Sequence, residues 1–281
     1  MTSAAFDVLG IGNAIVDVLS RADDSFLGQH GLVKGSMMLI DEERAEQLYD
    51  GMGPGIEVSG GSCGNTMAGI ASFGGKGAYI GKVRNDQLGK VFGHDLKSMG
   101  VSFDTESATA GPSTARCLIL VTPDAQRTMN TYLGACTGLG PDDIDTTLIG
   151  SAQVTYVEGY LWDAPEAKKA VLKAFDAAHA AGRKVSITLS DSFCVHRYRD
   201  EFRDLVRNKV DILFGNEAEI KSLYEVETFE EALEATRKEA KIAALTRSEK
   251  GSIVIKGSET YAVPAAPVVS TTLATEAAGT S

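Results

Sequence analysis

Short apolar runs rich in β-branched residues alternate with longer amphipathic stretches along most of the chain. The runs predict nine strands, at residues 6–11, 15–19, 77–80, 117–121, 154–157, 184–189, 211–214, 242–245 and 252–255. Between two of them, Val171 and Phe175 recur at helical spacing, in a helix expected to start with Asp163 as cap and Pro165 in its first turn. The alternation is strongest over residues 150–256 and predicts an α/β fold, with a mostly parallel sheet between layers of helices.

Two regions do not follow this alternation. Residues 15–40 and 114–133 each look like paired extended segments, and we expect them to form a small sheet laid over the main one. Residues 270–281 are almost all Ser, Thr, Ala and Gly, with one acidic residue and no apolar periodicity. The pattern therefore predicts one α/β unit over residues 1–269 and an irregular tail over residues 270–281.

Length and composition are typical of one large globular unit. The 281 residues are 43% hydrophobic and 23% charged, and 38 acidic residues against 27 basic ones give a net charge of −11. A field of this sign repels phosphate backbones and anionic lipid, so we expect no nucleic-acid partner and no membrane partner. No apolar run is long enough to span a bilayer, and no targeting segment precedes the first strand. The four widely spaced cysteines indicate a reducing, cytoplasmic location.

The first strand ends in Gly10-Ile-Gly12, a pattern that also opens dinucleotide-binding sites. Ile15 stands at the third glycine position and an extended apolar segment follows, so the sequence excludes that fingerprint and an NAD-dependent oxidoreductase. A P-loop sequence is absent as well. Asp17 remains near the strand end, either as an acceptor for substrate hydroxyls or as a solvated acid.

A glycine-rich segment precedes the helix predicted over residues 66–73. It contains Gly60, Gly61 and Asn65. Glycines let the backbone approach a ligand closely, and the amide of Asn65 can both donate and accept hydrogen bonds toward a diol. An ordinary turn before a helix explains the same pattern, so this segment alone does not decide between the two interpretations.

Two further polar segments follow predicted strands. Asn216 and Glu219 share one face of a first helical turn, where they either orient water around Mg²⁺ or a phosphate, or cap the helix. The loop from Thr246 to Gly251, which includes Ser248, is either a nucleotide contact or a surface turn.

Two aromatic residues leave another predicted strand. Tyr160 and Trp162 either stack on a base or pack in the core.

Taken in order, these segments resemble the ribokinase family of carbohydrate and nucleoside kinases (phosphofructokinase-B type), and its adenosine-kinase-like branch in particular. The resemblance rests on the strand with Asp17, the Gly60-Gly61-x-x-x-Asn65 segment, Ile80-Gly-Lys-Val83 followed by Asp86 and Gly89, the Asn216-x-x-Glu219 pair and the Thr246 loop. Residues 10–17, 128–134 and 211–216 are similar to the adenosine-kinase-like branch more than to ribokinase itself. The match covers about residues 6–269.

The resemblance implies a ribokinase-like fold whose small β lid, from about residues 15–40 and 114–133, closes over the substrate and excludes water. The substrate-binding residues it implies are Asp17, Gly60, Gly61, Asn65, Leu133 and Tyr160. Any lining by Leu39 or Trp162 would be apolar and would not distinguish purine from other aglycones. The residues it implies for ATP are Asn216, Glu219, Thr246, Ser248 and Gly251. Glu219 is expected to contact Mg²⁺ indirectly, through water.

The C-terminal segment departs from the family. Family members continue after the position of residue 269 with Asp-Thr-Thr-Gly-Ala-Gly-Asp, whose glycines form an anion hole and whose last Asp is the catalytic base. Here Leu273 and Thr275 replace both glycines, and Glu276 takes the position of the base. We therefore expect a truncated or altered C-terminal part, by a changed reading frame or a truncation, and little or no turnover.

The resemblance implies an ATP- and Mg²⁺-dependent kinase that phosphorylates the primary hydroxyl of a nucleoside, with adenosine as first choice and another ribosyl compound or sugar as second. A non-catalytic nucleoside- or sugar-binding protein of the same fold is the alternative. A small-molecule ligand is expected in both cases. We expect the chain to be a monomer or a homodimer formed through the lid.

Overall fold

The structure, a computed structural model, describes residues 4–267 and contains two β-sheets with helices packed around them. The strands are β1 (Phe6–Ile11), β2 (Ile15–Arg21), β3 (Met37–Leu39), β4 (Gly55–Gly60), β5 (Gly77–Ile80), β6 (Ser102–Phe103), β7 (Ala115–Val121), β8 (Arg127–Tyr132), β9 (Ala152–Glu158), β10 (Lys184–Thr188), β11 (Ile212–Asn216), β12 (Ile242–Thr246), β13 (Ser252–Lys256) and β14 (Glu259–Val263). The helices are α1 (Asp24–Gln29), α2 (Glu42–Gly51), α3 (Ser62–Ser72), α4 (Gln87–Ser98), α5 (Thr146–Gly150), α6 (Pro165–Ala180), α7 (Ser192–Asn208), α8 (Glu217–Tyr224) and α9 (Phe229–Glu239). None of these helices is long and apolar enough to cross a membrane.

The main sheet has the strand order β14-β13-β12-β11-β10-β9-β1-β5-β6. From β12 to β6 every neighbouring pair is parallel, and β13 and β14 add an antiparallel edge. The predicted α/β fold with a mostly parallel sheet is confirmed. Because parallel strands run in one direction, the residues that follow β1, β9, β10, β11 and β12 all emerge at the same edge of the sheet.

The small sheet has the strand order β3-β8-β7-β2-β4. Segments 15–40 and 114–133 supply four of its strands, and β4 adds a fifth that the apolar pattern did not predict. The alternation of side chains gives the sheet two different faces. Val16 and Leu118 belong to a core cluster with Phe92 of α4, whereas Asp17 and Cys117 lie on the opposite face.

Helix α6 follows the predicted spacing but not the predicted cap. Val171 is fully buried. The expectation that Asp163 caps this helix was wrong, because Ala164 occupies the N-cap without a side-chain hydrogen bond. The carboxylate of Asp163 instead accepts two hydrogen bonds from Nη2 of Arg197, at 2.9 and 2.7 Å. Asp163 thus forms an ion pair with Arg197, a residue distant in the sequence, and does not cap the helix that follows it.

Some expectations concern residues outside the described range. The tail over residues 270–281, including Glu276 as candidate base, lies beyond residue 267. The division of the chain into residues 1–269 and 270–281 therefore stays a prediction.

Candidate functional site

A cavity of about 380 Å³ lies between the small sheet and the carboxyl edge of the main sheet. One wall comes from β2, β3, β7 and β8, and the other from residues that follow β1, β9 and β10 and from the start of α3. The lining residues are Asn13, Ile15, Asp17, Met37, Leu39, Gly61, Ser62, Asn65, Cys117, Ile119, Met129, Thr131, Leu133, Glu158, Tyr160, Asp163, Asp191, Phe193 and Arg197. We call it the inter-sheet cavity; it lies where parallel α/β sheets commonly bind ligands.

Asp17 of β2 lines this cavity beside Cys117 of β7. Gly60 of β4 provides the room that the carboxylate needs, because a Cβ at that position would lie 2.2 Å from Cγ of Asp17. Burial raises the pKa of Asp17 to about 6, and the nearby Arg127 opposes part of that rise. Within residues 4–267 no group donates a hydrogen bond to this carboxylate. Asp17 is therefore free to accept hydrogen bonds from a ligand.

Glu158 lies at the end of β9 and is buried. Its Oε1 accepts the main-chain N–H of Asn13 at 2.8 Å, and its Oε2 accepts that of Cys63 at 2.9 Å. Burial raises the pKa of Glu158 to about 7, although both hydrogen bonds lower it. Gly12 leaves space for this carboxylate, since a Cβ there would lie 2.6 Å from Oε2. The side chain thus joins the turn after β1 to the start of α3.

The start of α3 brings two predicted substrate residues to the cavity. Gly61 is the N-cap, with φ +79°, and a Cβ there would lie 2.8 Å from the carbonyl oxygen of Asn13. Both observations require glycine at this position. Asn65 follows on α3 with an exposed side chain that lines the cavity. Gly61, Asn65 and Asp17 therefore converge on one space.

The remaining walls differ in polarity. Leu39, Leu133 and their neighbours on the small sheet form an apolar wall, although Leu39 is 58% exposed. Tyr160 lies on the wall formed by the main sheet, where its N–H donates to Oγ of Ser190 at 3.3 Å. Burial raises the pKa of Tyr160, so its hydroxyl is protonated and can donate at neutral pH. A ligand here meets an apolar surface on one side and hydrogen-bonding groups on the other.

The residues predicted for the nucleotide lie at the ends of β11 and β12, outside the lining of the inter-sheet cavity. Asn216 and Thr246 are direct neighbours in the parallel register, so both belong to the same edge of the main sheet. Ser248 follows in a short 3₁₀ turn that Gly251 ends. Gly251 has φ +83°, and a Cβ there would lie 2.1 Å from the carbonyl oxygen of Val263. That glycine is needed for backbone packing.

Asn216 and Glu219 form a capping box at the start of α8. Oδ1 of Asn216 accepts the N–H of Glu219 at 2.9 Å, and Oε2 of Glu219 accepts the N–H of Asn216 at 3.0 Å. Burial raises the pKa of Glu219, and the nearby Asp191 raises it further. The capping interpretation is therefore realised in the structure, and both side chains lie at the carboxyl edge of the main sheet.

Trp162 does not line the inter-sheet cavity. Its ring is 2% exposed and packs near Phe202, with Nε1 donating to Glu201 at 2.9 Å. Of the two interpretations left open for Trp162, packing in the core is the one that the structure realises, because the indole belongs to the main core cluster.

Several residues that line the cavity were not among those predicted from the sequence. Glu158 carried a usable signal, since it is an acid at the end of an apolar strand. Asp191, Phe193 and the pair of Asp163 with Arg197 follow β9 and β10, and no local pattern connects them. They meet only because those strands are neighbours in the sheet.

These features define a class: an α/β protein with a small accessory sheet over a ligand cavity at the carboxyl edge of its main sheet. Residues 55–274 match the family described as pfkB family carbohydrate kinase, and the chain belongs to this family. The resemblance to ribokinase-like kinases is thereby confirmed.

Known proteins support this assignment. A probable sugar kinase from Rhizobium etli CFN 42 is 54% identical and superposes with a TM-score of 0.88, over 95% of this chain and 81% of the other. The adenosine kinase from Sinorhizobium meliloti gives the same identity and TM-score, over 95% and 82%. The guanosine-inosine kinase of Escherichia coli (strain K12) is 26% identical over 233 residues, which are 79% of this chain. The chain spans about half of that curated relative, 53% of its length.

Proposed function

We propose that the inter-sheet cavity binds a nucleoside or a related sugar as the acceptor substrate of an ATP-dependent phosphotransferase. The observation that carries this proposal is the position of Asp17, a half-buried carboxylate with no hydrogen-bond donor among residues 4–267, beside Gly61 and Asn65 and opposite an apolar wall. A ribose diol can donate to the carboxylate and accept from the amide, while a base or other apolar group contacts Leu39 and Leu133.

Adenosine is the substrate we propose first. The apolar wall supports an aglycone with a large flat surface, and a relative that is 54% identical is described as an adenosine kinase. Another relative of equal identity is described as a probable sugar kinase, so other ribosyl compounds and sugars are the second choice.

The residues at the ends of β11 and β12 fit a nucleotide better than they fit a bare metal ion. Asn216 and Thr246 present polar side chains at the sheet edge, and both oxygens of Glu219 are hydrogen-bonded to Asn216. Among residues 4–267 no group of three or more His, Cys, Asp and Glu side chains is placed to hold a metal. Mg²⁺ bound with ATP would thus take phosphate oxygens and water as its main ligands, with Glu219 acting through water. Its chemical contribution there is to neutralise phosphate charge.

Turnover by this chain is proposed to be low. Leu273 and Thr275 stand in the positions of the family's anion-hole glycines, and Glu276 stands in that of the base. A side chain at either glycine position hinders the convergence of main-chain N–H groups on a phosphoryl group. Thus ligand binding, and not catalysis, is the first property to measure.

Calorimetric titration of the 281-residue protein with adenosine, ribose and fructose tests the proposal. Saturable binding of adenosine is expected, weakened at least about tenfold in Asp17→Asn, since a hydrogen bond to a charged group is lost. Asp50→Asn makes the same change at an exposed position on α2 and should bind like the unmodified protein. Equal affinities for Asp17→Asn and Asp50→Asn would refute the assigned site.

A coupled assay with ATP and Mg²⁺ then separates the two candidate functions. Phosphorylation of adenosine supports the kinase, and robust turnover overturns the proposal of low activity. Adenosine binding without transfer or ATP hydrolysis supports the alternative, a non-catalytic nucleoside-binding protein.

Light scattering over a range of protein concentrations distinguishes the monomer from the homodimer formed through the small sheet, whose edge strand β3 exposes Met37, Met38 and Leu39.

A further inference from the structure

A second cavity, of about 310 Å³, lies between α4 and the segment that follows β6. Its lining residues are Arg84, Asn85, Gly89, Lys90, Gly93, Lys97, Phe103, Asp104, Thr105 and Ser107. We call it the α4 cavity. It shares no lining residue with the inter-sheet cavity and includes none of the residues proposed for the nucleotide.

The lining of the α4 cavity is positively charged in a chain whose net charge is −11. Arg84, Lys90 and Lys97 carry positive charge, and Asp104 is the only carboxylate among the lining residues. Asp104 lies 3.1 Å from Nζ of Lys97, so it is already paired. Within residues 4–267 neither Arg84 nor Lys90 has a carboxylate partner. The cavity therefore holds two cationic side chains without a counter-charge.

Asp86, the N-cap of α4, forms no ion pair with Arg84 within residues 4–267. Asp86 accepts the N–H of Gly89 at 2.8 Å, the N–H of Thr114 at 2.8 Å and the hydroxyl of Thr114 at 2.6 Å. These three hydrogen bonds hold its carboxylate at the start of the helix. Arg84 therefore lines the cavity without a carboxylate partner among the described residues.

Two polar atoms of the lining are buried without a partner. Nη1 of Arg84 and Oγ1 of Thr105 are both enclosed and make no hydrogen bond within the described residues. A buried donor left unpaired is costly, and the cost is larger when it is charged. Both atoms belong to residues that line the same space. Because both atoms are closed to water, the two side chains must rotate before an acceptor bound in the cavity pairs with them.

We propose that the α4 cavity binds a phosphate group, either free or carried by a small metabolite. A phosphate offers several acceptor oxygens to donors from different directions, which suits a guanidinium, an ammonium and a hydroxyl around one space. Arg84 makes the principal contact, Thr105 donates its hydroxyl, and Lys90 supplies charge from the rim. The inference does not depend on the kinase function, because no residue of the proposed substrate or nucleotide site takes part.

The test is calorimetric titration with inorganic phosphate and with ribose 5-phosphate, at constant ionic strength maintained with sodium chloride. Saturable phosphate binding is expected in the unmodified protein, at least about tenfold weaker in Arg84→Gln. Lys256→Gln removes one positive charge from an exposed position on β13 and should leave the affinity unchanged. Tighter binding of ribose 5-phosphate that Arg84→Gln weakens identifies a phosphomonoester as the ligand of the α4 cavity, and equal binding of the two probes identifies the free ion. Tighter binding that Arg84→Gln leaves unchanged reports the inter-sheet cavity and counts against the proposal.

Two further variants keep the result interpretable. Lys90 is exposed, so Lys90→Gln should fold even if Arg84→Gln does not, and it should weaken phosphate binding severalfold. Asn216→Ala changes the proposed nucleotide site and should retain the phosphate affinity. Unchanged binding in Arg84→Gln and Lys90→Gln, loss of binding in Asn216→Ala, or no phosphate binding by the unmodified protein would each overturn the proposal.

Discussion

Two acids, Asp17 within β2 and Glu158 at the end of β9, differ in their hydrogen bonds although burial raises the pKa of both. The carboxylate of Glu158 is occupied by two main-chain N–H groups and organises the backbone around it. The carboxylate of Asp17 has no described donor and lines the inter-sheet cavity. The identity of the residue therefore predicts its chemistry only together with the hydrogen bonds that surround it.

The affinity for adenosine should depend on the protonation of Asp17. Its pKa is raised to about 6, and the ionised form is the better acceptor for ribose hydroxyls. Affinity should therefore rise as the pH increases from about 5 to 7, whereas Asp17→Asn should bind weakly and with little change over that interval. Calorimetric titrations at several pH values measure this. Parallel pH profiles for the two proteins would exclude Asp17 as the titrating group.

Glu158 should make the stability of the protein dependent on pH. Its pKa is about 7 in the folded protein and 4.5 as a free side chain, so folding favours the neutral form. The stabilisation is complete below about pH 4.5 and is lost as the pH rises through 7, by at most about 3 kcal/mol. Urea denaturation at pH 5 to 8 should show a smaller decline for Glu158→Gln than for Glu46→Gln, an exposed control on α2. Equal declines in stability for the two variants would contradict a raised pKa of Glu158 in the folded protein.

At the scale of single residues, the sequence was most informative where one residue type is chemically required. Gly61 is such a case, because its positive φ and the nearby carbonyl of Asn13 exclude a Cβ. Glu158 shows the limit of this reasoning. Its position at the end of an apolar strand is visible in the sequence, but its two N–H donors lie 145 and 95 residues away in the chain. Only the tertiary fold brings them together.

Among the elements, strand β4 matters because Gly60 has no side chain and so leaves room for the carboxylate of Asp17. In Gly60→Ala the new Cβ would lie 2.2 Å from Cγ of Asp17, so the strand or the carboxylate must move. We expect a loss of about 1–3 kcal/mol in unfolding free energy, with weaker adenosine binding. Gly69→Ala on α3 is the matched control, because its Cβ would meet no atom within 4 Å. Gly69→Ala should be neutral or stabilising, by up to about 1 kcal/mol.

The helix caps of α8 and α9 allow stability and nucleotide binding to be separated. Asn216 and Thr228 both form capping boxes, with Glu219 and Glu231 respectively, but only Asn216 lies at the proposed nucleotide edge. Asn216→Ala and Thr228→Ala should each lower the unfolding free energy by about 1 kcal/mol. Only Asn216→Ala should weaken the binding of a non-hydrolysable ATP analogue. A comparable loss of affinity in Thr228→Ala would show that the effect arises from stability alone.

Two strands of the small sheet, β3 and β4, gave no clear apolar pattern for the same physical reason. Strand β3 is exposed at all three residues, and β4 is exposed at three of its six residues and has a glycine at each end. Neither strand buries enough apolar surface to produce the alternation from which strands are inferred. Their pairing with β8 and β2 is decided by neighbouring strands, and the sequence of the segment alone does not contain that information.

For the whole molecule, the parallel order of the main sheet explains why distant segments form one site. The alternation of strands and helices predicted that order, and the order places the ends of β9, β10, β11 and β12 at one edge. The sequence therefore predicted that Asp17, Tyr160 and Asn216 could be near that edge. Most residues expected for the substrate line the inter-sheet cavity, and those expected for the nucleotide lie outside its lining, because the small sheet covers only one part of the edge.

Because the inter-sheet cavity has walls from both sheets, a bound nucleoside should stabilise them together. Hydrogen–deuterium exchange with saturating adenosine should show slower exchange in β2 and β7 and in the residues that follow β9 and β10. At a ligand concentration of one hundred times Kd, the unfolding free energy should rise by about 2.7 kcal/mol. Inosine and fructose at the same multiple of their Kd should give the same rise in unfolding free energy, so a different pattern of protection from exchange shows which part of it depends on the base. Protection confined to one sheet would mean that the ligand does not bind between the two sheets, and that the cavity is not the site of recognition.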